Sequence, residues 1–288
     1  MTWLSIAFAS ALLSALAAVL QKEILHFLDA VSFSFIMSGF VLVVSAFIPL
    51  IVNVAAVTPL SLIVLIVKGI INALAFVFVM MMLERSDISG TLPLMGLTPG
   101  VTAVIAFVAI GESISSVEIA GLIVMTAGVF VIERKESIRD IRRSHVTWYI
   151  AGALGLFSVS AVMDKLLVSG YRVDPLVVLF YQHIIFFIVF GIIFASRRNS
   201  FSSVFTKARF HILALVMLVA VLTIGYRFAQ LEAVRSGPVA LVLAVKRTSI
   251  LFAALAGGRI FKEERLIPRV AGAALIIAAG FLILRNVG

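Results

Sequence analysis

The sequence predicts an all-α polytopic membrane protein: ten transmembrane helices arranged as two inverted five-helix repeats. Three observations carry that class. The 288-residue chain is 62% hydrophobic and only 13% charged, with a mean hydropathy of +1.21. A soluble domain sits near 45–50% apolar and 25% charged. The apolar residues fall into runs of about the length a helix needs to cross a bilayer, roughly 20 residues. Short sequence matches then recur in the same order in the two halves. Spans of this length are helical, because a helix satisfies its own backbone hydrogen bonds in lipid. A β-barrel would need ten-residue segments of alternating polarity, and none is seen.

The runs lie at residues 3–25, 31–52, 59–83, 90–110, 116–132, 147–168, 175–195, 210–234, 238–257 and 266–285. The first has no Lys or Arg before it, so it lacks the basic region of a signal peptide and reads as a span. The fourth, "GTLPLMGLTPG" (90–100), holds Pro93, Pro99 and Gly100 among its helix-breaking residues. It reads as a kink that frees carbonyls and shapes a gate or cavity wall. The seventh contains Tyr181, Gln182 and His183, and the third contains Asn72. His183 and Asn72 are polar candidates for the interior, His183 as a possible proton relay. Cysteine is absent, which excludes a disulfide framework and thiolate chemistry.

The recurrence organises the chain. "AVLQKEIL" (18–25) matches "AVMDKLLV" (161–168), setting Lys22 opposite Lys165. "LERSDISG" (83–90) matches "LEAVRSG" (231–237). "GESISSVEIAGLIVMTAG" (111–128) matches "KEERLIPRVAGAALIIAAG" (262–280), setting Glu112 opposite Glu263 and Gly121 opposite Gly272. The repeats are residues 1–132 and 147–288, with the charged stretch 133–146 as linker. An odd number of helices per repeat inserts the halves with opposite orientation, an architecture recurrent in secondary transporters. Glu112 and Glu263 are expected to bond helix ends. Lys22 and Lys165 are expected to snorkel to the surface.

The ninth run carries "LAVKRTSILF" (243–252), with Lys246 beside Arg247 at its middle. Each cation at the bilayer centre costs on the order of 2.5–3.5 kcal/mol, and such residues mark functional sites by default. Arg227, next to Tyr226 in the eighth run, adds a third. The fourteen Asp and Glu all fall in loops or within about two turns of a run's end. The expectation is therefore that the cations have no internal counter-ion and that an anionic ligand supplies it, Arg through a bidentate fork and Lys as a point charge. Ser249, one turn beyond Lys246, can add a hydroxyl. The candidate substrate-binding set is Lys246, Arg247, Arg227, Tyr226, Ser249, His183 and Asn72.

Ten runs in two halves, each half with a Glu nine residues before a Gly, resemble the EamA-type drug/metabolite transporter superfamily over essentially the whole chain. The resemblance implies a secondary carrier of small metabolites, amino acids, drugs or nucleotide sugars, without cofactor or metal. In the triose-phosphate translocator branch a Lys-Arg pair in helix 9 holds the substrate phosphate, and Lys246, Arg247 and Tyr226 are similar to it. No HExxH, GxSxG, Walker A or Asp-rich prenyl-diphosphate signature occurs, so no enzyme is expected. The alternatives are an amino-acid or drug exporter of the same superfamily, or a membrane-embedded protein or enzyme handling lipid phosphates. The expected partners are a small anionic substrate and the lipid bilayer; the expected location is a prokaryotic inner membrane. Lys and Arg divide 4 on the side of the N-terminus against 15 on the other. The positive-inside rule then places both termini outside the cytoplasm.

Overall fold

The computed structural model describes residues 2–85, 92–113, 115–132, 146–197, 210–260 and 275. The linker 133–145, Glu263, Gly272 and nearly all of the tenth run lie outside them. Among the described residues the regular structure is entirely helical: α1 (Trp3–Ile24), α2 (Ala30–Ser45), α3 (Pro59–Arg85), α4 (Thr98–Ile110), α5 (Ser116–Ile132), α6 (Val146–Lys165), α7 (Pro175–Ser196), α8 (Phe210–Ser236) and α9 (Val239–Ile260). Among the described residues, six segments are long and apolar enough to cross a membrane, in α1, α2, α3, α6, α7 and α8.

The outer face of the bundle is apolar, and charged and polar groups are buried within it. Val43, Ile63, Val104, Phe107, Ile192 and Val221 are among many exposed large hydrophobics, while Lys68, Asp164, Gln182 and His183 are buried. An exposed apolar surface of this extent marks a lipid-facing wall. Long aliphatic and aromatic side chains project from the helices into lipid, and the backbone groups are spent within each helix.

Helix directions alternate around one sealed end. A core cluster gathers Ala7 near the start of α1, Leu65 of α3, Val177 of α7 and Val239 of α9. It also takes Leu167 and Val168 just beyond α6, and Leu231 and Val234 at the end of α8, with Ile110 at the end of α4 packed against it. These helix starts and ends share what we call the near end of the bundle. Thus α1 begins there, whereas α6 finishes there. Trp3 packs so closely on the α8–α9 turn that a Cβ at Gly237 would lie 2.6 Å from its ring.

Several local features differ from the sequence expectation. The run 90–110 is broken at its start: Leu92–Leu97 is a 3-10 turn, and α4 begins at Thr98 with Pro99 in its first turn. Proline fits there because the first helical N–H groups have no intrahelical acceptor. Pro93 lies in the 3-10 turn. The sixth run continues past its expected end at 168 through a π-helical turn, Leu166–Gly170. Lys165 does not snorkel outward. Its Nζ turns in to donate to the carbonyls of Val234 and Gly237, each at 2.9 Å, and lies 3.8 Å from Glu112. Those carbonyls lie at the buried end of α8, where the last carbonyls lack intrahelical partners, and the half-buried ammonium satisfies them. Glu112 in turn accepts the backbone N–H of Val239, at 3.1 Å to Oε2, so it caps the start of α9.

Candidate functional site

A cavity of about 300 Å³ occupies the middle of the bundle beneath the sealed near end, lined by α1, α2, α3, α6, α7, α8 and α9 together with Met95 and Thr98. On the other side it reaches Gln21, one turn from the end of α1, and Val79 of α3. Every candidate named for substrate binding lines it: Lys246, Arg247, Arg227, Tyr226, Ser249, His183 and Asn72. Of the gating candidates, Pro99 is buried at the head of α4, and Gly100 faces open space where a side chain would stand.

At the cavity floor the polar groups form a chain across five helices. Lys68 on α3 is fully buried and sits 2.7 Å from Oδ1 of Asp164 on α6. It also donates to Oε1 of Gln182 on α7. Arg227 on α8 is 3.3 Å from the other oxygen of Asp164, and donates to Gln182 and to Gln230, each at 3.1 Å. Gln230 then accepts from Lys246 on α9 at 2.5 Å. The Lys246 ammonium also stands 4.6 Å from the centre of the Tyr226 ring, within cation–π range. Arg247 leaves this chain and donates to the Thr98 hydroxyl at 2.9 Å. Thr98 is held by its own bond to the Met95 carbonyl, so the break before α4 places the partner of Arg247.

Two further candidates are tied to neighbours. His183 is bonded to Ser45 at 2.6 Å, an ordinary interhelical bond. Asn72 donates to Ser160 at 2.7 Å.

One expectation is corrected here. A carboxylate does reach the cations: Asp164 is buried and lines the cavity. Counting from the expected end of the run placed it near the surface, but the π turn carries the helix two residues beyond that end. Arg227 pairs with Asp164, while Glu232 meets Arg235 at 3.7 Å. Residues i and i+5 do not share a helix face, whereas i and i+3 do.

Lys68, Asp164, Gln230 and Thr98 were not singled out in the sequence. For Lys68 the signal was arithmetic: of 23 Lys and Arg, the 4 and 15 at span ends account for 19, and 23 − 19 leaves Lys68, Arg227, Lys246 and Arg247. For Asp164 the signal was the repeat. It stands opposite Gln21 in the first matched pair, and both line the cavity.

A bundle with a lipid-facing exterior and charged groups gathered on a central cavity defines a class, the integral membrane protein with an internal polar site. The comparisons narrow it. The family model described as the EamA-like transporter family matches residues 1–134 and 145–285, so the chain belongs to that family, within the drug/metabolite transporter superfamily. A crystal structure of another protein superposes with a TM-score of 0.77, covering 97% of this chain and 95% of its own, at 14% sequence identity. That likeness concerns the fold. A comparison with curated proteins finds no match. By family, then, the chain is a membrane transporter, working in a lipid bilayer on a small-molecule substrate.

Proposed function

We propose that this protein is a secondary transporter of a small organic anion, bearing phosphate or carboxylate, in a prokaryotic cytoplasmic membrane, and that it works by alternating access. One observation carries the reading: among the described residues, the partners of Lys246 and Arg247 in the cavity are all neutral, a glutamine, a tyrosine ring and a threonine hydroxyl. Around the cavity, four cationic side chains meet one carboxylate among the described residues, a formal 4 − 1 = +3. Asp164 is already shared by Lys68 and Arg227. Arg227 also keeps a buried Nε without a hydrogen-bond partner among the described residues. Excess positive charge in a low-dielectric site draws an anion.

The opposite running directions of α1 and α6 support the inverted pairing of residues 1–132 with 147–288. In such carriers one repeat rocks against the other around a fixed site. The break carrying Pro93, Pro99 and Gly100 is placed to act as a hinge, since it joins the cavity wall to the partner of Arg247.

A second reading has its own observation. Asp164 gives the cavity one carboxylate, so a zwitterionic amino acid finds complements for both of its charges. A cationic drug does not fit a site with three surplus positive charges.

The test is uptake of radiolabelled organic phosphates, carboxylates and amino acids into proteoliposomes. A charged hydrogen bond contributes about 1.5–3 kcal/mol, roughly ten-fold or more in affinity. Arg247→Lys keeps the charge but loses the fork, and Lys246→Met removes a charge; each is expected to lower anion uptake at least about ten-fold while the empty protein keeps its melting temperature. Normal uptake by both variants would refute the anion site. Loss of folded protein without ligand would make the pair part of the scaffold.

A further inference from the structure

We infer that the anion taken by this cavity carries an aromatic or similarly flat apolar body, not a polyhydroxylated one; this rests on the anion reading above. The cavity is layered: α3 and α6 pass from a charge through a polar side chain to a ring, while α7 passes from Gln182 directly to two rings. On α3 the sequence runs Lys68, Asn72, Phe76; on α7 it runs Gln182, Phe186, Phe190; on α6, which runs the other way, it reads Asp164, Ser160, Phe157. All but Lys68, which is bonded to two of them, line the cavity. At 1.5 Å per residue the polar layer stands about 6 Å from the charges and the outer rings about 10–12 Å. A ligand with its anionic group on Lys246 and Arg247 therefore extends its body toward those rings.

The rings form a surface. Phe76 and Phe186 both meet Phe190 edge-on, with centroids 5.4 and 5.8 Å apart. Such clusters accept a further ring in edge or offset contact, with about 4.5–7 Å between centroids.

The layer between charge and rings offers little to a sugar-like body. Its Thr223 hydroxyl, buried without a hydrogen-bond partner among the described residues, can serve one ligand hydroxyl; level with the rings, the Ser34 and Ser38 hydroxyls donate to the carbonyls of Ala30 and Phe35 on their own helix. The Asn72 amide donates to Ser160. A polyol buried here would leave hydroxyls without partners, which costs more than the same groups cost in water.

The test uses purified protein and two matched pairs of probes: phenyl phosphate against glycerol phosphate, and phenylpropionate against glycerate. Calorimetric titration reads each Kd, and Phe186→Leu is compared with Phe186→Ala so that a loss of fold in the alanine variant leaves a usable protein. In at least one pair the phenyl probe is expected to bind ten-fold or more tightly than its hydroxylated partner. Phe186→Leu should shrink that gap several-fold without moving the Kd of the hydroxylated probe. A hydroxylated probe that binds as tightly as its phenyl partner, or a gap untouched by Phe186→Leu, overturns the inference and leaves the anion site standing. Binding of none of the four overturns the anion reading itself.

Discussion

Lys68 and Asp164 show how a single residue pair sets the chemistry of the cavity. Lys68 is wholly removed from solvent, and an isolated ammonium there would be prohibitively costly. Asp164 on one side and the Gln182 carbonyl oxygen on the other compensate it. Breaking a buried pair strands a charge and costs about 3–5 kcal/mol. Lys68→Met is therefore expected to destabilise the empty protein by about that amount, and Asp164→Asn, which strands Arg227 as well, by no less. The double variant should cost clearly less than the two single losses added together. Unfolding in detergent micelles measures all three, and strict additivity would show that the two side chains do not interact. Legibility at this scale was uneven. The Lys246–Arg247 pair stood out because two adjacent cations interrupt an apolar run. Asp164 was hidden because its depth depends on where α6 ends, and a π turn has no composition signal of its own.

Helices were legible as helices, since hydrophobic length decides them; their ends were set by particular side chains. Asp29 caps α2, accepting from the backbone N–H groups of Val31 and Ser32 and from the Ser32 hydroxyl. Partial burial pushes its carboxyl up, but those hydrogen bonds prevail and hold it below its ordinary value. A carboxyl lowered in the folded state contributes stability above its unfolded pKa of about 3.9, and that contribution fades as pH falls through the lowered folded value. Asp29→Ala should cost about 1 kcal/mol at neutral pH. Asp29→Asn should keep most of the cap and lose its pH dependence below about pH 4, measured by melting temperature against pH. The sealed end makes a second demand. A methyl at Gly237 would meet the Trp3 ring at 2.6 Å, so Gly237→Ala is expected to cost about 1–3 kcal/mol through overpacking. Trp3→Leu in the same chain should recover part of it, as melting temperatures of the single and double variants would show. No sequence pattern announced this contact, because it joins residues more than two hundred positions apart.

The whole molecule was the most legible level, since hydropathy and the recurring matches carry the lipid-facing bundle and the two-repeat plan. What stayed hidden was how the halves meet: the floor of the cavity joins α3 of the first half to α6, α7, α8 and α9 of the second, and no local pattern encodes those pairings. Orientation follows from charge. The ten-span reading of the sequence puts 15 Lys and Arg opposite the N-terminus against 4 beside it, so the sealed near end is expected to face away from the cytoplasm. A phosphatase fused after Gly288 should be active and a fluorescent protein there dark; a bright fusion would invert the assignment.

The central claim is that the cavity holds surplus positive charge, and the absence of cysteine from the chain makes it directly measurable. Ser249→Cys places one thiol on the cavity wall beside Lys246 and Arg247. The measurement is the rate at which this thiol reacts with two thiosulfonate reagents of similar size, one a sulfonate anion and one a quaternary ammonium. The account predicts that the anionic reagent reacts faster by about ten-fold or more, consistent with electrostatic focusing in a cleft of one charge sign. The preference should collapse when Lys246→Met and Arg247→Met are added. Equal rates, a faster cationic reagent, or a thiol that neither reagent reaches would contradict the account.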